Sequence, residues 1–203
     1  MSENQPAVQL FLVISGPSGV GKDSLIGNLK ASGLPIHFIV TYNTRPPRVN
    51  EVEGVDYHFI TRQQFLAMVD AGEFAEHAKV YDDYKGTTYQ SLVEGFHSGK
   101  DVILRTDVQG AATIHGQYPE AILIFINAES EEKLIQRLKE REKEDSADLQ
   151  KRIATIHDEL QRTGEFEYEV VNVHGQLEIA AATLKSIIDA EHHRTHPRRM
   201  RID

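Results

Sequence analysis

The chain alternates between short unbroken apolar runs and longer stretches in which apolar residues recur every three or four positions. QLFLVIS (9–15), DVILRTD (101–107), AILIFINA (121–128) and YEVVNV (168–173) are of the first kind and read as strands of a buried sheet. KDSLIGNLKASG (22–33), VQGAATIHG (108–116) and LEIAAATLKSIIDAEHH (177–193) are of the second kind and read as helices. Strands that alternate with helices imply an α/β fold, with a central parallel sheet covered by helices on both faces. Between Thr41 and Ser98 the pattern breaks into shorter, more polar segments. YHFIT (57–61) reads there as a strand and TRQQFLAMVDAG (61–72) as a helix, with Thr61 and Gln64 spaced for a capping box and Gly72 suited to its end. This region is an excursion from the core. A polar amphipathic stretch from Ser130 to about Thr163 is interrupted by REKEDSAD (141–148).

Composition narrows the class. At 203 residues the chain is long enough for one buried core, and 40% hydrophobic with 26% charged residues is ordinary for a folded domain. The absence of cysteine excludes disulfides, thiolate ligands and a cysteine nucleophile, and suits a reducing compartment. The apolar runs are too short to span a bilayer, and MSENQPA has neither the basic region nor the apolar core of a targeting signal, so a cytoplasmic protein is expected. A net charge of −9 argues against nucleic acid as a partner and leaves small anions as the ligand class, provided basic residues converge locally. The tail HHRTHPRRMRID reads as a solvated helix end.

The convergence begins at GPSGVGKDSL (16–25), between a strand and a helix. It matches the phosphate-loop pattern G-x-x-x-x-G-K-[ST] except at its last place, where Asp23 replaces the hydroxyl. The amides from Gly16 to Lys22 can curl around an anion, and Lys22 would set an ammonium on the phosphates. NTRPPR offers a second anion site: its prolines bar a helix, and Arg45 and Arg48 suit a phosphate monoester.

With these two sites the chain resembles the guanylate kinases, from about Leu12 to His193. The blocks that carry the resemblance are GPSGVGK, TRPPR, EVEGVDYHF, GEFAEHAKVYDDYKGT, DVQGA, RLKER with a later KR, and VVN. The resemblance implies a P-loop nucleoside monophosphate kinase fold that transfers the γ-phosphoryl group of ATP to GMP with magnesium. It implies a core over about 8–40, 99–135 and 160–195, a small mixed GMP-binding subdomain over about 41–98 and a helical lid over about 136–155. ATP would be held by Gly16, Ser18, Gly19, Val20, Gly21, Lys22, Asp23 and Ser24, with Arg141 and Asn172. Arg45, Arg48 and Tyr57 would grip the GMP phosphate, and Thr41 and Glu76 would read guanine, with Thr87 as a further hydroxyl. A carboxylate at Glu76 accepts both the N1 and N2 hydrogens of guanine, which the adenine edge cannot supply. Lys22, Arg45, Arg137 and Arg152 would carry the transfer, and Asp107 would help hold magnesium.

Asp23, Lys85 and Arg105 depart from the commonest pattern of that family. The three occur together, as GKD, DYKG and R-x-D, in a branch found in plastids and some bacteria, whose tail also resembles HPRR. A carboxylate is a competent magnesium ligand, so Asp23 is expected in the metal site with Asp107. Lys85 and Arg105 would offset its charge on the GMP side. Arg105 can donate to guanine O6 and N7, and strand alternation puts it on the same face as Asp107. Two rival readings are a ribose 1,5-bisphosphate kinase, which would not need a guanine reader, and a non-catalytic phosphopeptide-binding module, which would not need an intact donor loop.

Overall fold

The computed structural model describes residues 8–80, 82–141 and 147–200, with the side chains of residues 141–148 outside that description. A five-stranded parallel sheet forms the base. Its centre is β1 (Phe11–Ser15), flanked by β7 (Asp101–Arg105) and β8 (Ile122–Asn127), with β2 (Ile36–Phe38) and β9 (Tyr168–Val171) at the edges. Alternation along β1 divides the apolar core in two. Leu12 and Ile14 pack with residues of α1 (Lys22–Ala31), α5 (Glu131–Arg141), α6 (Ala147–Gln161) and α7 (Leu177–His192), while Phe11 and Val13 pack with α3 (Tyr89–His97) and α4 (Val108–Gln117). A strand that feeds both cores has no polar face, which is why LFLVI is unbroken.

The excursion folds as a second, mixed sheet in the order β4 (Tyr57–Phe59), β3 (Thr41–Asn43), β6 (Asp83–Thr88), β5 (Phe74–Val80). β3 and β4 are parallel and the other pairs antiparallel. α2 (Arg62–Asp70) starts with the expected capping box between Thr61 and Gln64 and drops Phe65 onto this sheet. There Phe65 is fully buried, stacked on Phe74 at 4.4 Å and tilted against Tyr84 at 5.5 Å. Burying one such ring contributes about 1.5–3 kcal/mol, which matters for a sheet this small. The β5–β6 hairpin and α3 are not legible as elements in the sequence. α3 is short and mostly polar, but Thr88 caps it and Leu92 and Phe96, one turn apart, enter the core.

The C-terminal tail differs from the solvated end expected. Glu191 on α7 is almost fully buried and accepts hydrogen bonds from Tyr168 Oη at 2.5 Å and Arg198 Nε at 3.0 Å. Arg198 also pairs with Glu167, and Met200 packs against the second core. Burial alone would raise the Glu191 carboxyl, but Tyr168 and Arg198 outweigh it and hold it below the usual range. A depressed carboxyl stabilises the fold above its unfolded pKa, and that contribution disappears as pH falls through the folded value. Glu191→Ala is therefore expected to cost about 1–3 kcal/mol at pH 7, by leaving Tyr168 Oη without its acceptor and Arg198 with Glu167 alone. Urea denaturation at pH 7 and pH 4 tests this, since the gap between variant and wild type should narrow in acid.

Candidate active site

The donor loop is built where β1 ends. Gly16 has φ +138° and a Cβ there would collide with the Ile126 carbonyl oxygen; Gly21 has φ +95° and its Cβ would lie 2.6 Å from Asn172 Nδ2. Both positions therefore need glycine. The loop runs into the N-terminus of α1, which favours anions through its unpaired amides and dipole. Lys22, the first residue of that helix, donates to the Gly16 and Pro17 carbonyls at 2.5 and 3.0 Å, and burial lowers its pKa. Asn172 donates to the Val20 carbonyl at 2.8 Å, beneath the loop.

Glu159, which no motif in the sequence marks, reaches the same loop from α6. Its Oε2 accepts from the Ser18 amide at 3.4 Å, and burial pushes its carboxyl up although Lys22 pulls it down. In the sequence it is hidden among the many acidic residues of an amphipathic helix.

The second basic site is built by β3, β4 and the segment between them. Arg45 is held in a two-pronged ion pair by Glu51, with both N–O distances 2.6 Å, and its guanidinium lies 5.2 Å from the Tyr57 ring and 5.6 Å from Phe59. Glu51 also accepts from the Arg48 amide at 2.7 Å, so one carboxylate orders both ends of the RPPR turn. Glu51 too escapes a reading of the sequence, because nothing in its spacing separates it from Glu53.

Glu76 on β5 is only 3% exposed. Thr87, opposite it on β6, donates to Oε1 at 2.6 Å, while Oε2 is buried without a well-formed hydrogen bond, beside the Thr106 hydroxyl. Burial raises the carboxyl to about 7; Thr87 opposes the shift and Asp107 adds to it. Glu76 can approach this closely only because residue 110 has no side chain: a Cβ on Gly110 would lie 2.5 Å from Oε2 and collide with Thr106 Oγ1. Gly110→Ala is expected to push Glu76 out of place and, on the role that the resemblance implies for Glu76, to raise the KM for GMP about tenfold or more, equivalent to about 1.4 kcal/mol of lost binding. Steady-state kinetics with saturating ATP measures it.

The two oxygens of Asp107 sit in different surroundings. Its Oδ1 caps α4, accepting from the Gln109 and Gly110 amides at 2.8 and 3.1 Å, and its Oδ2 is buried with no hydrogen-bond partner among the described residues. An orphaned carboxylate oxygen facing a cavity of this polarity fits a hard divalent cation. Two residues earlier, Arg105 pairs with Asp23 and donates to the Asp56 carbonyl at 3.0 Å. Lys85 on β6 lines the cavity beside them, and burial, helped by the Lys22 charge, lowers it to about 8.

These groups face one cavity of about 370 Å³, lined by Gly16 and the rest of the loop through Ser24 except Pro17, and by Thr41, Arg45, Arg48, Tyr57, Glu76, Lys85, Arg105, Asp107, Arg152 and Glu159. Thr87 reaches it through Glu76. Arg137 and Asn172 are not in the lining: Arg137 pairs with Glu129 and donates to the Asn172 carbonyl at 3.0 Å. The side chain of Arg141 and the sequence between α5 and α6 (142–146) lie outside the described residues.

A phosphate loop on a parallel sheet, facing a second basic site on an inserted mixed sheet, defines a P-loop nucleoside monophosphate kinase. The Guanylate kinase family matches residues 9–191. Guanylate kinase 2 of Oryza sativa subsp. japonica, described as chloroplastic/mitochondrial, is 46% identical over 97% of this chain and 70% of its own length. The Nitrosospira multiformis guanylate kinase is 37% identical over 90% of this chain and 86% of its own. The crystal structure of the guanylate kinase from Anaplasma phagocytophilum superposes with a TM-score of 0.73 at 29% identity, covering 93% of this chain and 89% of that one. The chain belongs to the guanylate kinase family and is an ATP:GMP phosphotransferase.

Proposed function

We propose that the transfer is magnesium-dependent and that the cavity divides as the sequence implies. The observation that carries this is the union, in one cavity, of an anion-binding loop, a paired-arginine turn, a buried guanine-type acceptor and an orphaned Asp107 oxygen. The donor side is the loop of Gly16, Ser18, Gly19, Val20, Gly21 and Lys22, with Asp23 and Ser24 opening the helix and Asn172 supporting it. On the acceptor side, Arg45, Arg48 and Tyr57 hold the GMP phosphate, and Thr41, Glu76 and Thr87 read guanine, with Lys85 and Arg105 nearby. Arg137, Arg141 and Arg152 belong to the closing lid. The division into a core, a GMP subdomain over about 41–98 and a lid over about 136–155 follows the same reading. Among the described residues no helix is long and apolar enough to cross a membrane, and the absence of cysteine supports a reducing, cytoplasmic setting.

The attacking group is a phosphate oxygen of GMP, so no side chain need become a nucleophile. The protein's work is to align two anions that repel each other and to neutralise charge as the phosphoryl group moves between them. Lys22 and Arg45 do this from opposite sides of the cavity, and Arg152 from its edge. Held by Asp107, with Asp23 as a second carboxylate, magnesium would supply charge neutralisation across the donor phosphates. Glu51 keeps the Arg45 fork in a fixed plane, which spares the reaction the entropy of ordering it.

ADP formation from ATP by purified protein, with GMP, AMP, UMP or ribose 1,5-bisphosphate as acceptor, tests the reading. Turnover with GMP alone, abolished by EDTA and restored by magnesium, is expected. Turnover that survives chelation, or that prefers the sugar bisphosphate, would overturn it.

A further inference from the structure

Two of the positions that depart from the commonest pattern of the family are partners in space. Arg105 ends β7, in register with Ile14 on β1, where the chain is about to enter the donor loop. Its guanidinium touches two different parts of the molecule. Nη1 pairs with the Asp23 carboxylate in the first turn of α1; Nη2 donates to the Asp56 carbonyl at 3.0 Å; and the planar group lies 4.3 Å from the centre of the Tyr57 ring. The Arg105 side chain is only 13% exposed. Asp56 directly precedes β4 of the inserted sheet and Tyr57 opens it, while Asp23 directly follows Lys22.

We propose that Arg105 is a positioning residue that joins the acceptor arm to the donor loop through Asp23, so that filling either nucleotide site tightens the other. The proposal deepens the guanylate kinase reading and rests on it. Three features support a coupling role over a merely local one. A guanidinium donates in a rigid fork, so a shift of the Asp56–Tyr57 segment changes its alignment with Asp23 instead of being absorbed by a flexible stem. Stacking on Tyr57 ties the same group to the ring placed for the acceptor phosphate. Asp23 adjoins the donor loop, so its pair with Arg105 carries the position of the arm to the donor side and offsets part of the charge placed there. Whatever draws the arm inward therefore strengthens the pair, and by linkage the effect runs equally from donor to acceptor.

Calorimetric titration of GMP, with and without the β,γ-imido analogue of ATP plus magnesium, reads the coupling as the ratio of the two Kd values. Wild-type protein is expected to bind GMP about 5-fold or more tightly when the analogue is bound, the lower end of ordinary coupling between sites. Arg105→Gln and Asp23→Asn, each titrated at analogue and magnesium concentrations shown to saturate that variant, should bring the ratio close to one, and the double variant should go no further, because both singles break one link. Arg105→Lys keeps the charge without the fork and should also lose most of the ratio, with its melting temperature confirming that it folds. If Arg105→Gln weakens GMP equally with and without the analogue, Arg105 reads guanine directly and the proposal fails. It fails as well if the wild-type ratio is one, or if the two single effects multiply in the double variant. Wild-type protein that does not bind GMP at all would instead defeat the guanylate kinase reading, and the proposal with it.

Discussion

Glu76→Gln is expected to lower kcat/KM for GMP by about 10²–10³-fold and, at pH 8, to make the protein more stable. The first effect follows from donor and acceptor geometry. A carboxylate accepts from guanine N1 and N2 together, whereas an amide must turn its own NH2 towards one of them. Losing a charge-assisted hydrogen bond and leaving a buried donor unsatisfied together cost about 3–4 kcal/mol, which is the stated fold-change. The second effect follows from burial. In the folded protein the Glu76 carboxyl titrates at about 7, raised from its ordinary value of 4.5 by desolvation. Folded protein therefore holds this proton more tightly than unfolded chain, so stability falls as pH rises from about 4.5 to 7. Above that window the cost is roughly 3 kcal/mol, and glutamine does not incur it. Melting curves at pH 5 and pH 8 should show the variant gaining on wild type only at the higher pH. Wild-type GMP affinity should fall below pH 7 more steeply than the variant's, because guanine requires the ionised form. Unchanged discrimination of GMP from AMP in the variant would remove Glu76 as the reader.

Lys22→Met should abolish turnover in practice, lowering kcat by about 10³-fold or more while leaving the fold intact. Removing one donor aimed at charge that develops in the transition state costs about 10²–10³-fold, and Lys22 also helps hold the loop through its bonds to the Gly16 and Pro17 carbonyls. Burial lowers its pKa, which means the folded protein bears a desolvation cost to keep an ammonium there. Methionine has a similar length and no such cost, so the melting temperature should hold or rise. Single-turnover measurements of γ-phosphoryl transfer separate the chemical step from ATP binding. A variant that keeps kcat within tenfold of wild type would show that the loop amides alone suffice for the chemistry.

The donor loop is legible in the order of the residues because its parts are consecutive. Buried strand, glycines, lysine and helix lie within Gln9–Gly33, and each obeys a local rule: an unbroken apolar run for the strand, backbone freedom for Gly16 and Gly21, helical period for the residues after Lys22. The capping box of α2 is legible for the same reason. Glu51 and Glu159 are not, since a carboxylate that orders an arginine turn has the same spacing as one facing water. Gly110 has the pattern of an ordinary helical glycine; its meaning is that Glu76, from a different sheet, occupies the space its side chain would need. An aspartate at the end of a strand, such as Asp107, suits either a helix cap or a metal ligand; its Oδ1 takes the cap, and its Oδ2 is buried without a hydrogen-bond partner among the described residues.

The α/β class, the glycine-rich loop, the basic turn and the resemblance that joins them can be read along the chain, because each is encoded in neighbours or in blocks of fixed order. How those blocks meet one another depends on the packing of the whole fold. Arg105 and Asp23 lie 82 positions apart and meet only because parallel strands β1 and β7 deliver both to one end of the sheet. The tail has the composition of a solvated end, yet the fold brings Glu191, Glu167 and Arg198 together. Local rules follow from bond geometry and period, which a chain carries along its length. Pairing between distant charges follows from the packing of two cores on one sheet, and that packing has no counterpart in the order of the residues.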